Sequence, residues 1–344
     1  MIDFRYHLVS IVAVFLALAV GLAIGATALT PKTEKFFDTR SKQEEQQING
    51  LKTQIGGLKN QLASDQALAK AAAPRLLDGL LTGQRVVLVT APGADDSTIS
   101  GVTAALRQAG AIVTGRAELQ PSFFDTSAST QSSLTTLAQQ VAPPDVTVGV
   151  QAGQPAVNAQ IVGQQDAAQV LAPALVTKIG ADLPAEQTKK IVDGFAAHGF
   201  MQMNYENGST QLSQATLAVV IIPGTPPSGG GANPANLALL SVAQQLEGSS
   251  LGVVMAGSLP GSGTGSAIDE LINGGTGIQL SSVDDADSEV GQIEVAQALR
   301  DWLTSHKPTA FGVLAGTVPS PVPTPAPTST PTPGTTSGKN KSGR

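Results

Sequence analysis

Twenty-two consecutive residues without a charge, Leu8 to Leu29 (LVSIVAVFLALAVGLAIGATAL), constrain this chain more than any other stretch. About twenty apolar residues suffice to cross a bilayer as a helix, which satisfies its own backbone N–H and C=O groups where no water can. A cleaved signal peptide is the rival reading, because Ala26-Thr27-Ala28 has the small residues of a cleavage site. Signal cores run to about 7–15 apolar residues, however, and this run is longer. The expectation is an uncleaved anchor, residues 1–30, on a single-pass protein. Small residues at Ala13, Ala17, Gly21 and Gly25 fall four apart on one helix face. Either Ala17, Gly21 and Gly25 let two membrane helices pack closely, or they reflect the ordinary abundance of Gly and Ala in such helices.

After Pro31 the sequence turns polar, and Ile48, Leu51, Ile55, Leu58 and Leu62 are spaced 3, 4, 3, 4. That is the a/d seam of a coiled coil. Only about two heptads are clean, and Gly50, Gly56 and Gly57 weaken the helix, so the seam needs a membrane helix or a partner to hold it. The alternative is a single amphipathic helix lying on its own globular domain. The stalk is assigned residues 31–73.

At Pro74 the composition shifts. Arg85 to Thr90 (RVVLVT) reads as a buried strand, Ser97 to Gln108 as an amphipathic helix and Ala111 to Thr114 as the next strand, a βαβ unit. Further apolar runs at Val146 to Val150, Leu217 to Ile222 and Leu251 to Met255 alternate with helical stretches. These are Gln154 to Val176, Asn233 to Leu246 and Ser288 to His306. The alternation predicts an α/β domain, residues 74–316, with a mostly parallel doubly wound sheet. From Thr317 seven prolines fall in twenty-eight residues, and residues 317–344 are expected to be a disordered Pro/Thr/Ser-rich tail.

Charge is unevenly divided. Between Pro74 and Gly316 stand nine Lys or Arg against twenty Asp or Glu, which would repel a phosphate backbone and argues against a nucleic-acid partner. With no cysteine there is no disulfide framework, thiolate metal cluster or thiol nucleophile. The three histidines lack a G-x-S-x-G elbow, so no hydrolase is expected. Orientation is contested. Lys32, Lys35, Arg40 and Lys42 follow the helix while Arg5 stands alone before it, which on a simple count keeps the C-terminal side in the cytoplasm. The Pro/Thr/Ser tail is of a kind found on extracytoplasmic stalks.

Candidate sites are few. The turn TAPGADDS after the first strand occupies the dinucleotide-binding position but holds one glycine and two aspartates, and reads as a turn with Asp96 as N-cap. The stretch from Gly257 to Gly265 lacks a P-loop lysine and reads as a flexible loop. Asp284, Asp285, Asp287 and Glu289 precede a helix, where negative charge is ordinary, and do not match a calcium loop. His198, Met201 and Met203 are soft donors of the kind Cu(I) accepts, although methionines at that spacing equally suit a core.

The opening MIDFRYHLVSIVAVFLALAVGLAIG closely resembles the start of the MctB-like copper transporter family of actinobacteria, as does SSVDDADSEVGQIEVAQAL from Ser281 to Leu299. The resemblance spans nearly everything up to Gly316. It implies copper homeostasis or export at the cell envelope, with no catalytic residue and with copper as a bound or transported ion rather than a cofactor. A SteB-like branch implies a different role, a non-enzymatic scaffold or regulator acting through its coiled coil in cell-wall remodelling or division. Either way the partners expected are the membrane and a second copy or a coiled-coil protein. The resemblance also implies an extracytoplasmic α/β domain. Protease added to intact, wall-stripped cells is therefore expected to remove the tail from Thr317 onward, since an exposed Pro/Thr segment is freely cleaved. Protection of the tail until lysis would put the domain in the cytoplasm.

Overall fold

In a computed structural model the described residues are 4–149, 159–206, 212–228, 233–314 and 316–317. The chain divides into two compact units, Met1–Ala67 and Leu68–Arg344.

The first unit is helical. Helix α1 spans Phe4–Leu77 and is unbroken at Pro31, where the sequence shifts from apolar to polar. Within it Tyr6–Gly25 is long and apolar enough to cross a membrane, with a mean hydropathy of 2.7. The seam residues Ile48, Leu51, Ile55, Leu58 and Leu62 are each 50–65% exposed. Ala17 and Gly21 are also exposed, and a Cβ added at Gly21 or Gly25 would meet nothing within 4 Å.

The second unit is a sheet of seven strands covered by helices on both faces. Its elements after α1 are β1 (Arg85–Thr90), α2 (Asp96–Gln108), β2 (Ile112–Leu119), α3 (Ala128–Val141), α4 (Val162–Leu175), α5 (Ala185–Ala197) and β3 (Met201–Tyr205). There follow β4 (Leu217–Ile221), α6 (Pro234–Ser249), β5 (Val253–Ala256), α7 (Ala267–Asn273), β6 (Ser281–Val283), α8 (Glu289–Ser305) and β7 (Ala310–Phe311). The strand order is β3-β2-β1-β4-β5-β6-β7, and all pairings are parallel except the edge pair β2–β3. The mostly parallel doubly wound α/β sheet expected from the sequence is thus present, with one antiparallel edge.

Side chains alternate between two cores because successive residues of a strand point to opposite faces. Val87, Val89, Val220 and Met255 face one core with α3, α4, α5 and α6. Val86, Leu88, Val219 and Val254 face the other with α2 and α8. Ala73 and Leu77, from the last turns of α1, and Leu81 just beyond belong to this second core. Gly79 and Gly83 take positive φ between them and β1, and Leu81 N–H donates to Ala109 O at 2.8 Å.

The run Val146 to Val150 does not form a strand: 143–149 carry none, and residue 150 lies outside the described residues. Both edges of β1 are already taken, by β2 and β4. The side-chain amide of Gln169 instead serves Gly149, accepting from its N–H and donating to its C=O at 3.1 Å each. Val146 and Val148 still pack against the first core. The tail beyond residue 317 and the start of the helix expected from Gln154 lie outside the described residues.

Leu77 is fully buried. Leu77→Ala should therefore cost about 2–5 kcal/mol, read as an early thermal or urea transition by circular dichroism of the whole chain in detergent. Ile179→Ala, at an exposed position, should move the same transition by less than about 0.5 kcal/mol.

Candidate functional site

In an open parallel sheet the two halves wind in opposite directions from one point, and ligands collect in the crevice outside the carboxyl ends of the strands there. Here that point lies between β1 and β4: the chain goes from β1 to β2 on one side and from β4 to β5 on the other. A cavity of about 420 Å³ occupies this place. Its walls come from 91–93 after β1, 223–228 after β4, Pro121 and Phe124 after β2, and the first turns of α6.

Backbone hydrogen bonds hold these loops. Ala91 N–H donates to Ile221 O at 2.9 Å and Gly224 N–H to Gly93 O at 2.8 Å, so the two strand ends are laced together beyond the sheet. Gly93 takes φ +79°, and a Cβ at Gly224 would come within 2.4 Å of the Asp95 carboxylate. Asn233 caps α6, its side chain accepting from Ala235 N–H, and Asn236 donates to Gly265 O at 2.8 Å. The lining is uncharged and mostly apolar: Pro92, Pro121, Phe124, Pro223, Pro226, Pro227 and Leu239 stand among the wall residues. Pro234 opens α6 and removes one of the free N–H groups that a phosphate would need.

Asp95, not Asp96, is the N-cap residue of α2, and its side chain makes no cap bond; Asp96 sits in the first turn, where its charge faces the positive end of the helix. The stretch from 257 to 265 is closely packed at several points. A Cβ at Gly261 would lie 2.2 Å from Pro223 O, Ser262 is buried, and Ser266 caps α7 by accepting from Asp269 N–H. Gly257 and Gly261 leave no room for a side chain because the chain there passes against Ile222 and Pro223, just after β4.

The soft donors are divided. Met201 is closed into the first core, while Met203 is partly buried against Gly115. Both line a second shallow cavity of about 420 Å³ with Asp193 and Tyr205, and His198 is not among its lining residues. His198 is exposed at the end of α5, its Nδ1 2.8 Å from Gly194 O and its ring stacked on Phe200. Burial raises the Tyr205 phenol, and the neighbouring Asp193 carboxylate adds to this.

The acidic run is dispersed into separate tasks. Asp284 is fully buried and accepts from Val313 and Leu314 N–H at 3.0 and 3.1 Å. Asp287 accepts from Leu259 N–H, and Glu289 pairs with Lys70 at 3.5 Å. Asp285 accepts from the Ser288 hydroxyl through one oxygen, and its other oxygen is buried without a hydrogen-bond partner. Among the described residues no three His, Asp or Glu side chains are grouped so as to hold a metal ion.

Comparison with known proteins gives a consistent result. Residues 1–322 match the family described as "Copper transport outer membrane protein, MctB". The chain is 28% identical over 319 residues to the copper transporter MctB of Mycobacterium leprae, covering 91% of this chain and 96% of that protein. It is 25% identical over 332 residues to the copper transporter MctB of Mycobacterium tuberculosis H37Rv, covering 92% and 99%.

Burial raises the Asp285 carboxyl from its ordinary value of 3.8; the Ser288 hydroxyl opposes this and the charges of Asp284 and Asp287 add to it. The folded state then favours the protonated acid, so this group's contribution is full below its unfolded value and is lost as pH rises through its folded one. Asp285→Asn, neutral throughout, should gain melting temperature relative to the parent by a few degrees between about pH 4 and 7. Parallel thermal melts across that range check it, and a constant difference would mean that Asp285 ionises freely.

Proposed function

Because the chain belongs to the MctB family of copper transport outer membrane proteins, matched over residues 1–322, we propose that it handles copper at the cell envelope as one subunit of a membrane-anchored oligomer. The family match carries the copper part of this reading. The oligomer follows from physical need, because a single membrane helix cannot line a conduction path.

The exposed a/d seam from Ile48 to Leu62 and the open small-residue face at Ala17, Gly21 and Gly25 are the surfaces through which copies would join. The seam supplies partner choice and the membrane helix supplies proximity. Of the soft donors, exposed His198 and partly buried Met203 are the two that a copper ion could approach from solvent. The α/β domain lies outside the cytoplasmic membrane in this reading, and the protein is not an enzyme.

The same seam supports a second reading, a non-enzymatic scaffold whose coil recruits a partner in cell-wall remodelling or division. The two readings separate in one experiment. A strain lacking the gene should hold more cell-associated copper and grow less well at raised copper, and the parent chain should reverse both. Leu51→Ser, Ile55→Ser and Leu58→Ser together remove the apolar knobs from the seam. That variant, still in the membrane fraction, should migrate as a smaller species after crosslinking and fail to restore copper content. Unchanged copper in the deletion strain defeats the copper reading. Full rescue by the triple variant defeats the oligomer.

A further inference from the structure

β3 is the last strand on its side of the sheet, and among the described residues no strand pairs with its outer edge. In an antiparallel pair, opposed residues alternate between those that exchange hydrogen bonds and those that do not. Gln120 N–H donates to Phe200 O at 2.9 Å, and these two residues continue the β2–β3 register. The exchanging pairs within the strand are therefore Glu118 with Gln202 and Arg116 with Asn204. Met201, Met203 and Tyr205 alternate with them and turn their backbone N–H and C=O groups away from β2, out of the sheet. The second cavity, of about 420 Å³, lies beside them between β3 and α5. Its lining includes Met203 and Tyr205 from one face of the strand and Gln202 from the other, so it follows the edge rather than covering a face.

Exposed edges are usually guarded by a charge, a proline or a bulge that stops another chain from pairing. From Gly199 to Tyr205 there is no charge and no proline, and the β2–β3 register runs without a bulge. The charges that border the edge are matched within the chain: Asp193 by Lys189, Glu118 by Arg116 and Glu206 by Arg107. What completes such an edge is an extended backbone, and β3 is complementary to itself. A two-fold axis through Met203 sets Met203 opposite its counterpart, Met201 opposite Tyr205 and Gln202 opposite Asn204. The outward backbone groups of each copy then meet those of the other. The thioethers and phenol adjoin on the α5 side, the side-chain amides face one another on the opposite side, and no like charges are brought together.

We propose that β3 pairs antiparallel with the β3 of a second copy, joining two seven-stranded sheets into one. A strand of five residues is a small contact for a lasting dimer. It forms between copies that the stalk already holds at high effective concentration, and in this it rests on the oligomer proposed above.

The chain has no cysteine, so introduced thiols report the pairing. Gln202 is exposed and Asn204 half-buried, and both tolerate a small side chain. In this register Gln202 of one copy and Asn204 of the other form a close pair, with Cα atoms about 4.5 Å apart and within disulfide reach. Two Gln202 or two Asn204 positions stand diagonally, about 7–8 Å apart and beyond it. Full-length Gln202→Cys and Asn204→Cys chains with different tags are expressed together, and their membranes are treated with a mild thiol oxidant. The mixed disulfide dimer should form several-fold more than either variant forms with itself. A Leu51→Cys chain oxidised in parallel reports the stalk alone. Linkage through Leu51 without the mixed disulfide overturns the edge pairing and leaves the oligomer standing, whereas absence of both overturns both. Disulfides formed equally well by either variant alone overturn the two-fold register and the proposal with it.

Discussion

Parallel pairing of β1 with β2 on one side and β4 on the other is the interaction on which the second unit depends. A strand paired on both edges and covered on both faces can tolerate almost no polar side chain, which is why Val86 to Val89 are aliphatic and buried. The same pairing sets the direction in which each half of the sheet winds. It separates the helices into two cores, and it opens the crevice between the ends of β1 and β4. A hydrogen bond from Gly224 N–H to Gly93 O then ties the loops after the two strands together.

The first unit obeys a different constraint. Tyr6–Gly25 is long and apolar enough to cross a membrane, and as a helix it satisfies its own backbone without reference to any tertiary contact. Beyond the apolar stretch the helix has no such support, and its Ile and Leu side chains stand exposed in the single chain. In the second unit the apolar surface of the strands is buried by the chain itself. The division between a self-sufficient α/β domain and a helix that leaves its seam uncovered underlies the proposal that copies act together.

Elements with strong local cues were legible in the sequence. RVVLVT became β1 with both ends as read, and Asn233 and Ser288 cap α6 and α8 by accepting backbone N–H groups. The error at Val146 to Val150 is one of partners: an apolar run forms a strand only where it pairs with a sheet edge, and here the Gln169 side chain serves the backbone of Gly149 instead. β6 and β7 are three and two residues long, too short for any periodicity to register. Gly257 and Gly261 looked permissive because sequence does not reveal that Ile222 and Pro223 lie against them. The β1/β4 cavity was invisible for a related reason. Its walls come from four separate segments, and only strand order, which sequence does not state, places them together. The prolines of PGTPPS directly after a buried strand were the one local cue.

The brevity of β7 bears on how the folded domain behaves in company. An edge strand offers unpaired N–H and C=O groups on which another chain can build, and long edges seed aggregates. β7 pairs through only Ala310 and Phe311, and the sequence that follows soon becomes proline at every second position from Pro319 to Pro327. Gly312 takes φ +135° directly after β7, and the Asp284 carboxylate accepts the N–H groups of Val313 and Leu314, so the strand does not lengthen as the chain continues. On that side the sheet offers an approaching chain only two residues to build on.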